Sequence, residues 1–496
     1  MLLRRFYDDG LAQASFMLGC QATGEALIVD ANRDVDQYVE AAAAEGLRIT
    51  HITETHIHAD FVSGSRELAH RTGGTLHLSA EGGEEWQYAF PTAQEKEAGV
   101  QAVLLRDGDS FKVGNVKVDV MATPGHTPEH VTFLITDTAG ADKPMGAFTG
   151  DFIFVGDVGR PDLLERAAGV ADNMEASART LFHSLRRFME LPDWIQLWPG
   201  HGAGSACGKS LGAVPQSTLG YEKQFNWGLG VTDEEEFVQM VLAGQPEPPR
   251  YFAQMKRINR EGPRVLGAVI EPPLLPGSQL PDLLAKGALV VDLRPAAAFA
   301  TRHVPGTLNI PFNRSFATWA GWLIPYDRDF YLLLPDGEGP GAANHDLALI
   351  GLDRLAGYFH ADALQSWVAA GRTLEGVAQL SVDELAGLMA DGAVERGDLA
   401  VVDVRGASEW EDGHLPGVAN VPVGYLTDHL DELPRDRVLV VHCQSGARSS
   451  IAASLLRRAG FENVVNLTDG YIAWRDAGNP VEQDGAGSLT DSAGAG

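Results

Sequence analysis

Val291-Asp292-Leu293-Arg294, His303-Val304-Pro305-Gly306 and Asn309-Ile310-Pro311 return, without a gap, as Val402-Asp403-Val404-Arg405, His414-Leu415-Pro416-Gly417 and Asn420-Val421-Pro422. The offset is 111 residues throughout. That period is too long for a stacked solenoid repeat and fits a duplicated domain. Each copy opens with an apolar helix, predicted over Leu280–Ala285 and Val382–Ala390, followed by a Val-rich strand. Each is therefore expected to be a small α/β domain.

A chain of 496 residues exceeds one ordinary domain and suggests about three. Strand-like and helical segments alternate up to residue 245, with helices predicted over Val35–Glu45 and Met174–Glu190. Pro-rich clusters at 246–250 and 271–277 bracket a short helical piece and read as a linker over 246–277. The repeats then occupy 278–374 and 379–478, and 483–496, poor in groups to bury, is expected to be a disordered tail. A formal charge of −29 disfavours nucleic acid and anionic membranes as partners. No apolar run is long enough to span a bilayer. The N-terminus does not read as a signal peptide, and the three cysteines form no C-x-x-C pair, so a reducing, cytoplasmic setting is expected. Assembly into a homo-oligomer is compatible with a large acidic multidomain chain.

Chemistry concentrates in two places. In the first half, His56-x-His58-x-Asp60 lies just past the predicted strand Ile49–Glu54, where alternate residues share a face. His126 follows Thr123-Pro124-Gly125, Asp151 follows Ala147-Phe148-Thr149-Gly150, and His201 follows Trp198-Pro199-Gly200. Each stands at a strand end beside Gly or Pro, where loops gather over a sheet. By these segments the first half resembles the metallo-β-lactamase fold, an αββα sandwich. That fold hosts zinc hydrolases, diiron proteins and monoiron dioxygenases. The usual pattern continues with His after the Asp; here the residue is Phe61, whose ring cannot bind a metal, which weakens a dinuclear site. Resemblance to the persulfide dioxygenase branch implies iron held by His56, His126 and Asp151, with His58, Asp60 and His201 behind them orienting ligands and water. Gly159-Arg160-Pro161-Asp162 resembles a segment near the iron in that branch, so Arg160 would hold an anionic part of the substrate or sit in a surface ion pair. Cys207 follows His201 closely enough to reach the same pocket, or is a packed thiol; Cys20 reads as structural.

The second place is Cys443. A buried-strand pattern over Arg437–His442 precedes it and an apolar helix over Ser449–Arg458 follows. Gly446 permits a loop whose N–H groups point inward, the helix N-terminus adds positive potential and Arg448 adds a charge, surroundings that favour nucleophilic attack by sulfur. Only Gln444, Ser445, Gly446 and Ala447 separate Cys443 from Arg448. Phosphatase loops have five intervening residues; the tighter ring suits sulfur. With Asp403-x-Arg405, Gly413-His414-Leu415-Pro416-Gly417 and Asn466-Leu467-x-x-Gly470-Tyr471-x-x-Trp474, the last repeat resembles a rhodanese domain. The resemblance implies Cys443 as sulfur carrier and Gln444 to Arg448 as anion-binding loop. The earlier repeat has no cysteine and reads as a rhodanese-like fold that cannot carry sulfur.

Together the parts resemble bacterial persulfide dioxygenase–rhodanese fusions of sulfide detoxification. The implied cofactor is one non-haem Fe2+, with O2 as co-substrate. The implied partners are a low-molecular-weight thiol persulfide, sulfite and thiosulfate. Two alternatives remain at this level: a zinc-dependent, glyoxalase II-like thioester hydrolase with rhodanese appendages, and a non-enzymatic sulfur relay.

Overall fold

A computed structural model describes residues 1–163, 174–209, 211–245, 247–267 and 270–483. Apart from residue 483, the expected disordered tail lies outside the described residues. The chain divides into two compact units. Met1–Val269 and His345–Gly351 make the first; Ile270–Asn344 and Leu352–Gly496 make the second.

Two six-stranded sheets form the first unit, each with its strands in chain order. One runs Leu2–Asp8, Gln13–Cys20, Glu25–Val29, Arg48–Thr53, Thr75–Ser79 and Ala102–Leu105. The other runs Ser110–Val113, Val116–Ala122, Val131–Asp137, Gly146–Gly150, Gln196–Pro199 and Ser217–Thr218. Phe16, Leu18 and Val29 of the first sheet share a core with Val118, Phe133, Phe148 and Trp198 of the second. Tyr38, Ala41 and Leu68 from helices cover the first sheet's outer face. Leu181, Leu185 and Phe188 cover that of the second. The layers are helix, sheet, sheet, helix, as expected. A strand sandwiched this way shows no polar alternation, and Gln13–Cys20 is buried at every position. The helix Met174–Phe188 buries Ala178, Leu181, Phe182 and Leu185, the spacing of one helical face, and stops before Pro192.

The second unit holds two all-parallel sheets. One has the order Leu308–Asn309, Leu289–Asp292, Phe330–Leu334, Leu355–His360. The other has Ala419–Asn420, Leu399–Asp403, Val438–His442, Val464–Leu467, Ala378–Leu380. The first four strands of each correspond one to one. The opening helices span Leu280–Ala285 and Val382–Ala390, the latter begun by a Ser381–Glu384 capping box. Both repeats lie in one unit. The physical reason is contact between them: the Asn309 N–H donates to Ser454 Oγ at 3.0 Å, seating the helix Ala447–Arg458 on the strand Leu308–Asn309.

The short helical piece expected between the Pro-rich clusters is present, and it belongs to the first unit. Tyr251–Glu261 is a helix of the first unit, and its Asn259 is 1% exposed. A Pro-rich border hid a segment that packs.

Candidate metal centre and sulfur-transfer loop

The strand Arg48–Thr53 ends beneath a loop whose conformation is set by Asp30. That residue terminates the strand Glu25–Val29 at φ +53°, an αL position tolerated by Asp. Its carboxylate accepts from the Thr55 N–H at 2.7 Å and the Thr55 hydroxyl at 2.9 Å. Because the hydroxyl hydrogen goes to Asp30, Thr55 Oγ1 accepts from His56 Nδ1 at 3.1 Å. His56 Nε2 is thereby left with its lone pair bare. His126 reaches the same state by donating from Nδ1 to the Arg160 carbonyl at 3.1 Å. In this way the imidazoles are oriented from behind, as metal-binding rings are.

These rings meet Asp151. His126 Nε2 lies 3.6 Å and His56 Nε2 4.0 Å from Asp151 Oδ2. All three residues are buried, and their donor atoms lie within 4.8 Å of one another. Neither Asp151 oxygen accepts a hydrogen bond from the protein. A buried carboxylate with no donor is costly unless a cation compensates it. Burial lowers the His126 pKa, and burial followed by His58 places His56 well below the usual value, so both rings are neutral as ligation requires. The donor set fits a metal ion.

His58, expected behind the ligands, turns Nε2 to Asp30 Oδ1 at 3.1 Å. Burial would lower its pKa, but Asp30 and then Glu54 hold it up at about 9. Phe61 packs on the His58 ring with centroids 4.4 Å apart. Asp60 and His201 form a second cluster with Cys207, their donor atoms again within 4.8 Å. His201 Nε2 sits 3.2 Å from Asp60 and 3.4 Å from Asp151 Oδ1, while its Nδ1 donates to the Ala12 carbonyl. Burial first, then Asp151 and Asp60, push the Cys207 thiol up to about 12. Cys207 thus does reach the His201 side of the site.

Arg160 is fully buried. It donates through Nε and Nη2 to both oxygens of Asp162, at 3.0 and 2.7 Å, and through Nη1 to the Ala206 carbonyl at 2.9 Å. The expected ion pair exists, but inside the protein. Its guanidinium clamps the loop at 159–162 to the loop that carries Cys207.

Three supporting residues escaped sequence reasoning. Asp151 N–H donates to His130 Nε2 at 3.2 Å, and His130 Nδ1 therefore donates to Thr123 Oγ1 at 2.9 Å. Burial keeps His130 well below its usual pKa, so it fixes the Asp151 backbone as a neutral ring. Asn259 donates to the His58 and Phe61 carbonyls, both at 2.7 Å, and accepts from the Ser63 N–H, clamping the motif loop. Asp30 is the third. The turn at the apolar run's end marked Asp30; nothing local marked His130 or Asn259. Close approach also dictates Gly159, where a Cβ would stand 2.0 Å from the Asp151 carbonyl oxygen.

In the second unit, Cys443 follows the strand Val438–His442 and is 1% exposed. The Gly446 N–H donates to Cys443 Sγ at 3.2 Å and Ser449 Oγ lies 3.6 Å from it. Gly446 has φ +91°, and a Cβ there would fall 1.9 Å from the Thr468 carbonyl oxygen, so no other residue fits. Gln444 is held by Arg405 Nη1 at 3.2 Å. Arg405 is itself bidentate to Asp403 and lies over the Tyr471 ring at 4.0 Å. Arg448, expected to add a charge to the loop, is forked to Glu409, with Nη2 to Oε1 at 2.7 Å. Ser445 and Ala447 complete the loop between these fixed points.

The model of the metallo-beta-lactamase superfamily matches residues 8–201, and that of the rhodanese-like domain matches 381–477. The crystal structure of a metallo-beta-lactamase from Staphylococcus aureus is 44% identical, covers 72% of this chain and 99% of its own, and superposes with a TM-score of 0.65. A beta-lactamase hydrolase-like protein of Xylella fastidiosa is 31% identical over 254 residues, 47% of this chain; the chain spans about half, 54%, of that relative's length. Human mitochondrial persulfide dioxygenase ETHE1 is 29% identical over 255 residues, which is 50% of this chain and 84% of that protein. Fold and relatives together imply a metal cofactor, and no described helix is long and apolar enough to cross a membrane. The chain belongs to the metallo-beta-lactamase superfamily and carries a rhodanese-like domain in its C-terminal part.

Proposed function

We propose that the chain is a persulfide dioxygenase coupled to a thiosulfate-forming sulfurtransferase. The observation that carries this reading is one chain holding two kinds of site. One is a buried site of two neutral imidazoles and one carboxylate whose oxygens accept no hydrogen bond; the other is a cysteine loop whose N–H faces sulfur. Two His and one carboxylate form the facial set that suits Fe2+ and leaves positions for other molecules. Iron held by His56, His126 and Asp151 would supply the activation of O2 toward a sulfane sulfur. The net change is R–S–SH + O2 + H2O giving R–SH, sulfite and two protons.

The protein's own groups do the positioning. His130 and Asn259 hold the ligand-bearing backbone, and the Arg160–Asp162 pair joins the two loops beside it. At the second site, Cys443 sulfur attacks the outer sulfur of R–S–SH. The S–S bond of the persulfide breaks, and R–S− leaves and takes the proton that Cys443 gives up. The Gly446 N–H and Ser449 hydroxyl face the sulfur that carries the charge. Sulfite then attacks the outer sulfur of the Cys443 persulfide, giving thiosulfate and free Cys443. The cytoplasm and a low-molecular-weight thiol carrier are part of this proposal.

A second reading has its own observation. Asp60, His201 and Cys207 could hold another ion beside the first, as a zinc hydrolase of thioesters would need. Metal analysis and an oxygen electrode separate the two. One iron per chain with O2 uptake on a persulfide supports the dioxygenase; two zinc ions with thioester cleavage and no uptake sinks it. His126→Ala is expected to lose the iron and abolish uptake.

A further inference from the structure

The loop that carries His56, His58 and Asp60 is gripped by chain far beyond it in sequence. Asn259 takes the His58 and Phe61 carbonyls and the Ser63 N–H. Between Phe61 and Ser63, the Val62 N–H donates to the Leu349 carbonyl at 2.7 Å. Leu349 ends the helix Gly341–Leu349, and the stretch His345–Gly351 belongs to the first unit. In sequence that stretch lies within the cysteine-free repeat.

The last carbonyls of a helix have no partner inside it. Here Leu349 gives its carbonyl to Val62, and Ala348 accepts from Arg33 Nη1 at 3.1 Å. Arg33 is buried and also donates through Nη2 to the Arg264 carbonyl at 3.2 Å. A cation is favoured at a helix C-terminus, where the helix dipole is negative. Gly351 follows at φ +74°, and a Cβ there would stand 3.0 Å from Val62 Cγ2 and 3.2 Å from Ile258 Cδ1. At the other end of the stretch, His345 Nε2 lies 3.5 Å from Asp34 Oδ2.

These contacts land on the two strips of backbone that orient the site. Arg33 and Asp34 continue the strip of Asp30, whose carboxylate holds Thr55 and His58, and of Asn32, which bridges to Ser63. Val62 follows Phe61, whose ring packs on His58. A shift of His345–Gly351 therefore loosens the Asp30 strip and the His58 loop together.

We propose that His345–Gly351 is a positioning element of the metal centre, fixing the loop that presents His56 and so setting how tightly an ion is retained. The inference rests on the dioxygenase reading for the identity of that ion, whereas retention is measured without turnover. It also gives the cysteine-free repeat a role that needs no sulfur chemistry, since its sequence supplies the stretch.

Two substitutions disturb the grip from opposite sides. Gly351→Ala pushes on Val62, and Arg33→Gln gives up the guanidinium that joins two carbonyls. In the full chain loaded with Fe2+, release of the ion to ferrozine should be about tenfold faster in each, as for other groups that orient metal ligands from behind. The electron paramagnetic resonance signal of the nitric oxide adduct should broaden as the ligands lose their single geometry. Arg33→Lys, which keeps a cation at the helix end, should recover most of the retention. Asn420→Ala is the control: it loosens the second unit and should leave release and signal at wild-type values. If both buried variants fail to fold, His345→Ala, which removes only a partly exposed contact, should speed release by a smaller factor. Release and signal unchanged in the folded variants, or changed equally in Asn420→Ala, would overturn the proposal by making the stretch mere packing. A wild-type chain that takes up no iron would sink the dioxygenase reading instead. The same release measurement with Zn2+ would then decide the stretch alone, since imidazoles on this loop bind either ion.

Discussion

The two repeats of the second unit share a scaffold and differ in one loop. Asp292 grips Arg294 as Asp403 grips Arg405, and each arginine also donates to a carbonyl, that of Arg302 or of Gly413. His303 stacks on Phe299 at 3.8 Å as His414 stacks on Trp410 at 3.6 Å. Trp367 and Trp474 each donate from Nε1 to a carbonyl six residues on, Thr373 or Pro480. Then the copies part. Where one strand runs into Cys443, the other runs into Pro335. Pro340 and Ala298 stand where Arg448 and Glu409 pair. The scaffold bonds are therefore what this fold needs in order to form. The cysteine loop and its Arg–Glu fork are absent from the first repeat, which folds without them, so they are free to serve the proposed sulfur transfer.

Replacing Cys443 tests that division most severely. Cys443→Ser keeps the loop's shape but removes the sulfur nucleophile. Sulfur transfer should fall at least a thousandfold, while oxygen uptake stays within about twofold and the product shifts from thiosulfate to sulfite. Ion chromatography of the products beside an oxygen electrode reads both. Loss of uptake in this variant would mean that the two sites do not work separately.

A milder test asks whether the scaffold costs the same in both copies. Asn309 and Asn420 each donate to two backbone carbonyls, those of Asp292 and Arg294 or of Asp403 and Arg405. Removing either amide strands buried carbonyls, at about 1–3 kcal/mol. Asn309→Ala and Asn420→Ala should lower the denaturation midpoint to similar extents. A large cost at Asn420 alone would show that the first repeat is not held by the same bonds.

What the sequence made legible follows the range of the forces involved. The helices Leu280–Ala285 and Val382–Ala390 were readable because apolar spacing is local. His126 and Asp151 were readable as candidates because each follows a Gly at a strand end, and His56 because of its His-x-His-x-Asp spacing past a strand; choosing these three as the ligand set rested on the family resemblance. Asn259 was not, because its bonds to the His58 loop cross 201 residues of chain and it stands in a segment bordered by prolines. His130 was not, because it serves by accepting from the Asp151 backbone, which no motif spacing encodes. The Arg160–Asp162 pair shows the same limit. Its spacing matched a family segment, but only the fold reveals that the pair is buried and turned onto the Ala206 carbonyl.

The smallest expected effect concerns the Glu409–Arg448 fork, which the first repeat lacks. Burial alone would raise the Glu409 carboxyl, yet hydrogen bonding to Arg448 holds it below the usual carboxylate value. A carboxyl whose pKa is depressed on folding stabilises the native state fully above its unfolded value, and the contribution fades as pH falls through the folded value. With side chains 23% and 36% exposed, the pair contributes at most about 1 kcal/mol. Glu409→Gln should therefore be slightly less stable than wild type at pH 7, and the gap should close as the solution is acidified below about pH 4.5. Denaturant titrations at pH 7 and pH 4 read the difference. A gap that stays constant would mean that the fork orients Arg448 without stabilising the domain electrostatically. Transfer kinetics of Glu409→Gln at pH 7 would then report on orientation alone, since the loop would keep its charge but lose the partner that aims it.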